Sequence, residues 1–108
     1  VAQICAGWDK YEGGSVWALP IGGSLLRVPY TVGGSGSTYI YGFCDSCYKE
    51  GMSREECEDF VTKAVAHAMS RDGSSGGLIR LVTVNADGAS RKMVQGPNIP
   101  LFFEELAN

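Results

Sequence analysis

Paired glycines set the grain of this chain. Fifteen of its 108 residues are Gly, and eight of them form the pairs Gly13-Gly14, Gly22-Gly23, Gly33-Gly34 and Gly76-Gly77. That is about twice the usual share of ~7%. Glycine permits the positive backbone angles that tight turns need. The chain is therefore expected to fold as short, unequal units rather than as one long element.

Between these breaks the units differ in type. The opening Val1-Ala2-Gln3-Ile4-Cys5-Ala6 reads as the interior of a strand, so part of a larger domain is expected upstream. Ser15 to Pro20 reads as a short strand after a Glu-Gly-Gly turn. Ser24 to Val32 reads as another, with Pro29 tolerated near an edge or a bulge. After the Gly33-Gly34-Ser35-Gly36 loop, Ile40, Phe43, Cys44 and Cys47 recur at i, i+3, i+4 and i+7, one stripe of a helix that Gly51 would close.

The next helix carries the strongest local signal. Ser53-Arg54-Glu55-Glu56 fits a capping box, in which the Ser53 hydroxyl and the Glu56 carboxylate each satisfy a free amide. Cys57, Phe60, Val61, Ala64, Val65 and Ala68 form its predicted apolar face. Glu58, Asp59, Lys63 and Arg71 lie off it, and the helix is expected to end near Arg71-Asp72. Leu78 to Val84 is nearly all apolar and β-branched, which predicts a strand covered on both faces. Asn85-Ala86-Asp87-Gly88 is a hairpin turn, Ala89 to Val94 the returning strand, and Leu101-Phe102-Phe103-Glu104-Glu105 a short amphipathic tail. Strands, two consecutive helices, then a hairpin make an α+β order within one domain.

Composition removes several functions. No run of eighteen apolar residues occurs, which argues against a membrane-spanning helix. A formal charge of −3 with no basic cluster argues against nucleic acid. Cys44 and Cys47 have redox or zinc spacing. Zinc would need a second ligand pair, drawn from Cys5, Cys57 and the lone His67. Both thiols share the stripe with Ile40 and Phe43, so core cysteines are expected, and the four thiols read as reduced in a cytosolic or nuclear protein rather than as two disulfides of a secreted one. A free thiol-redox module is the competing reading.

Two loops could carry chemistry. In Arg71-Asp72-Gly73-Ser74-Ser75-Gly76-Gly77, an aspartate at a helix C-terminus faces the negative end of the dipole. Nearby amides, a cation or the hydroxyls of Ser74 and Ser75 should compensate it. The alternative is a turn in which Asp72 hydrogen-bonds its own backbone. Gly33-Gly34-Ser35-Gly36-Ser37-Thr38 places small residues at a helix start, where amides can approach an anion or a reacting group, or where Ser35 or Ser37 merely caps. It lacks the Lys of a Walker loop, and the GxGxxG pattern fails at Tyr39.

Taken together these stretches, with Ala6-Gly7-Trp8-Asp9, Pro20-Ile21-Gly22-Gly23-Ser24, the run on to Tyr39-Ile40-Tyr41-Gly42, and Gly51-Met52-Ser53, resemble the C-terminal half of a proteasome beta-type subunit. Among beta types the likeness is to the caspase-like subunit or its inducible counterpart. The resemblance implies an N-terminal-nucleophile hydrolase, a four-layer α-β-β-α sandwich of which residues 1–108 would be the C-terminal part. It implies a threonine-type endopeptidase acting on unfolded polypeptides, with cleavage after acidic residues. The nucleophilic N-terminal threonine would lie upstream, since Val1 is not that residue, and the isolated chain is expected to be inactive. Ser35, Asp72 and Ser75 match the family's active-site surround and would support that threonine and its amine. No cofactor and no catalytic metal are implied, although in some family members the backbone carbonyls around the Asp72 loop hold a cation. Partners would be other alpha and beta subunits in stacked rings, with no nucleic acid and no membrane, in cytoplasm and nucleus. The competing function is a non-catalytic interface segment of the beta ring.

Overall fold

In the computed structural model, residues 1–101 are described; of the amphipathic tail predicted at Leu101 to Glu105, all but Leu101 lies outside them. Strands β1 (Gln3–Asp9), β2 (Gly13–Leu19) and β3 (Leu26–Val28) form an antiparallel sheet in that order. Asp9 turns the first hairpin, its Oδ1 accepting the amides of Tyr11 and Glu12 at 2.8 Å each. A 3-10 turn, Ser37–Tyr39, leads into α1 (Tyr41–Cys47), and α2 spans Arg54–Arg71. The hairpin β4 (Leu78–Asn85) and β5 (Gly88–Gln95) follows, pairing Asn85 with Gly88 across the turn.

Helix α2 is buried on two opposite sides. Ala64 and Ala68 pack with Ile40 and Cys44, and with the partly buried Tyr30, Val32, Phe43 and Phe60. Ala66, half a turn round, is fully buried against Ile79 of β4 and Ile99, with Met69 and Val94 beside them. A residue two positions on from Ala64 points about 200° away on a helix. Ala66 therefore belongs to a second contact face that the single predicted stripe omitted. Residues Cys57 and Val65, assigned to that stripe, are exposed.

Strand β4 lies between α2 and the three-stranded sheet. Its odd residues meet the helix; its even residues Val82 and Val84 line an open cleft of about 560 Å³ shared with Ala6, Gly14, Val16 and Val28. The arrangement is helix, sheet, sheet. The expectation that β4 is covered on both faces is met only toward α2, because Val82 remains 51% and Val84 42% exposed.

Other expectations shift for local reasons. The predicted strand at Ser24 to Val32 contracts to Leu26–Val28, since Pro29 offers no amide to continue the ladder. The first helix ends at Cys47 rather than at Gly51: Tyr48 is extended, and Gly51, at φ +79°, belongs to the turn before α2. Cys44 is buried but Cys47 is exposed, so only one of the two is a core cysteine. At the start of α2 the capping box forms, with the Glu56 amide donating to Ser53 Oγ at 3.1 Å and the Ser53 amide to Glu56 Oε1 at 3.3 Å.

Candidate functional site

The last turn of α2 delivers Asp72 to the head of the loop that leads into β4. Its amide still bonds to the Ala68 carbonyl at 2.8 Å, but its backbone has left the helix, at φ −93° and ψ 117°. The Ser75 amide returns to the Asp72 carbonyl at 3.1 Å, folding the loop back on itself. That turn brings the Ser75 hydroxyl to Asp72 Oδ2 at 2.6 Å and the Ser74 amide to Oδ1 at 3.2 Å.

The third member comes from 37 residues earlier. Ser35 Oγ donates to the same Oδ2, also at 2.6 Å. Its loop is held by its surroundings on both sides. Upstream, Tyr30 and Val32 pack on the Ile40–Cys44–Ala64–Ala68 cluster, the Tyr30 hydroxyl donates to Asp45, and the Tyr30 and Tyr48 rings lie 4.7 Å apart. Acceptance by the Asp45 carboxylate, aided by burial, pushes the Tyr30 phenol up to about 12, so this tie holds across the neutral range. Downstream, the Ser37 amide bonds to the Gly34 carbonyl at 3.1 Å and starts the 3-10 turn.

All three sequence-predicted site residues thus meet at one carboxylate oxygen. Donation from Ser35, then Ser75, then the Ser74 amide holds the Asp72 carboxyl below its ordinary 3.8. These donors supply the compensation that an aspartate at a helix C-terminus needs. Each serine spends its only proton on Asp72, so its oxygen keeps lone pairs for accepting. The cluster is anionic, rich in acceptors and partly open to solvent, with Ser35 exposed and Asp72 and Ser75 half-buried. Such an array suits a hydrogen-bond donor bearing positive charge. A second cleft, of about 410 Å³, is lined by Ile4, Leu19, Thr31, Val32, Gly33 and Gly34, and so ends beside Ser35.

Gly36 belongs to this site, and the sequence marks it only as one of several small residues in the Ser35 loop. A Cβ placed there would stand 3.0 Å from Ala68 Cβ, 3.1 Å from Ser75 Oγ and 3.3 Å from Asp72 Oδ2. Glu58 is a second polar centre, one that the sequence marks only as a charge off the apolar face of α2. It accepts from Thr83 Oγ1 at 2.6 Å, Lys92 Nζ at 2.7 Å and Arg54 Nε at 2.9 Å, tying α2 to both strands of the hairpin. Lys92 first, then Thr83 and Arg54, hold its carboxyl down at about 2. Among the described residues no three His, Cys, Asp or Glu side chains gather as a metal site, and no helix is long and apolar enough to cross a membrane.

Comparison with known proteins gives this geometry a setting. A family described as Proteasome subunit matches residues 1–84. The chain is 54% identical over 101 residues to Proteasome subunit beta type-6 of Dictyostelium discoideum, covering 94% of this chain and 47% of that protein. It is 55% identical over 102 residues to Proteasome subunit beta type-9 of Homo sapiens, covering 94% and 46%. Against Proteasome subunit beta type-6 of Arabidopsis thaliana it is 48% identical over 103 residues, covering 95% and 44%. The chain spans about half the length of the curated relatives it matches.

Proposed function

The chain belongs to the proteasome subunit family and is similar to beta-type subunits, and from that premise we propose that it is the C-terminal part of a beta subunit acting as a threonine-type endopeptidase. In this reading residues 1–108 complete a single N-terminal-nucleophile hydrolase domain whose other half supplies the catalytic threonine. The whole subunit works in cytoplasm and nucleus, in rings with other alpha and beta subunits. It cleaves unfolded polypeptides, after acidic residues in the caspase-like manner.

The observation that carries the reading is the shared acceptor at Asp72 Oδ2, with two serine hydroxyls on it at 2.6 Å. An amine arriving at this array would donate to the lone pairs of Ser35 and Ser75 and lie within the field of the carboxylate. Its charge state and its direction are then both set before the reaction begins. An N-terminal threonine held in this way keeps its amino group next to its own hydroxyl. The neutral amine takes the hydroxyl proton as the oxygen attacks the peptide carbonyl, becoming an ammonium that the Asp72 carboxylate stabilises, and gives it to the departing amine nitrogen; water then hydrolyses the acyl ester and restores the threonine. The role of Asp72 and the two serines is to hold that amine; the bond-making atoms come from elsewhere in the subunit.

The test is the full-length subunit bearing Asp72→Asn, assembled and assayed with an acidic fluorogenic peptide. Asparagine keeps the shape and removes the charge. Turnover is expected to fall about a hundredfold or more, the usual scale for losing acid–base support, with assembly intact. Unchanged turnover would overturn the catalytic assignment. It would leave the interface-segment reading, which the exposed Ile4, Trp8, Val82 and Val84 also favour as surface for other chains.

A further inference from the structure

Two glycines in the Ser35 loop are glycine for different reasons. Gly34 sits at φ +95°, where any side chain would be strained. Gly36 sits at φ −87° and ψ −4°, on the negative-φ side open to L residues, so its backbone does not demand glycine. Its constraint is space. The position is buried, and the three atoms nearest to an added Cβ are Ala68 Cβ at 3.0 Å, Ser75 Oγ at 3.1 Å and Asp72 Oδ2 at 3.3 Å. Two of these three belong to the cradle itself. The third is a methyl on the last turn of α2, rooted in a helix that cannot rotate out of the way.

We infer that Gly36 is a positioning residue for the cradle, its bare Cα against the Ala68 methyl setting how closely the Ser35 loop approaches Asp72 and Ser75. The inference rests on the reading of Ser35, Asp72 and Ser75 given above and adds to it the device that fixes their spacing. Ser35 reaches Asp72 from the neighbouring position in the chain, so the loop cannot back away from Ala68 without drawing Ser35 Oγ off Oδ2. A bond of 2.6 Å from each serine leaves little slack. A retreat of a few tenths of an ångström would lengthen the Ser35 bond, or turn the Ser75 hydroxyl aside, and so reorient the acceptors that meet the incoming amine. Gly36 touches no reacting atom and acts only through these side chains.

The experiment compares four full-length subunits in the assembled particle: wild type, Gly36→Ala, Ala68→Gly and the double variant. Misplaced catalytic groups act on turnover, so Gly36→Ala is expected to lower kcat about tenfold with KM nearly unchanged. Ala68→Gly alone removes the other side of the contact and is expected to lower kcat about threefold, less than Gly36→Ala, because it opens space without adding a clash. The double variant, in which the added methyl finds room beside α2, is expected to recover to within about threefold, a non-additivity that two independent destabilising changes would not produce. Wild-type turnover in Gly36→Ala overturns the inference. So does a double variant that is no better than Gly36→Ala in kcat or, should Gly36→Ala fail to assemble, no better in assembly. Asp72→Asn run alongside separates the two levels. If it is inactive while Gly36→Ala is normal, the positioning inference alone fails; if it is active, the reading of the cradle fails with it.

Discussion

Ile79→Ala, made in the full-length subunit, probes the contact that fixes α2 on the hairpin. Ile79 is 3% exposed and sits at the centre of a small cluster with Ala66, Ile99, Met69 and Val94. Truncation to Ala removes three carbons at ~0.8 kcal/mol each for transfer alone. A cavity term brings the loss into the ~2–5 kcal/mol range found for such changes. Met69 is flexible enough to fill part of the space, whereas Ala66 has no atoms to move. The expected cost is therefore about 3–4 kcal/mol, with Ile79→Val at about 1 kcal/mol. In a subunit roughly twice the length of this chain this corresponds to a fall of about 6–16 °C in Tm, readable by calorimetry. Activity per assembled particle at moderate temperature should hold, because Ile79 does not touch the cradle. A Tm change under about 3 °C, or Ile79→Val matching Ile79→Ala, would refute the claim that this cluster joins helix to sheet.

Two further expectations concern stability and pH. The Glu58 carboxyl titrates at about 2 instead of the ordinary 4.5, so its contribution to stability is complete above 4.5 and is lost as pH falls from there through 2. Lys92→Met raises the folded value, and the acid-unfolding curve should then be shallower across that window than in wild type; parallel curves would count against the tie. Asp72 is also depressed below 3.8 and contributes in the same sense at the lower end, so the comparison must be made between variants. Removal of the α2 cap by Ser53→Ala should cost about 1 kcal/mol in denaturant unfolding, and no change would mean that the 3.1 Å bond from the Glu56 amide carries no weight.

Local chemistry explains which parts of this molecule were legible beforehand. The capping box, the Asn85–Gly88 turn and the apolar run of β4 depend on neighbours in sequence, and all three are found where the residues place them. The shortening of β3 is half legible: Pro29 marks an edge or bulge, but that the ladder stops at Val28 shows only in the strand pairing. The second face of α2 was hidden because Ala66 is small and its partners Ile79 and Ile99 are distant in the chain. Glu58 was hidden for the same reason, its Lys92 partner being 34 residues away. Asp72 could be singled out by its uncomfortable place at a helix end, and Ser75 by its closeness in sequence. Ser35 needed a resemblance to join them, because nothing in periodicity links a loop before α1 to the end of α2. The spatial reason for Gly36 required coordinates.

The alanines on opposite sides of α2 have an evolutionary corollary. A helix gripped this way works as a shim whose thickness is one methyl group on either flank. Natural variation at positions 64, 66 and 68 should therefore be filtered by bulk before polarity. Serine should be tolerated there sooner than valine, since any added girth would pry the loop of Ser35 and the strand of Ile79 apart together.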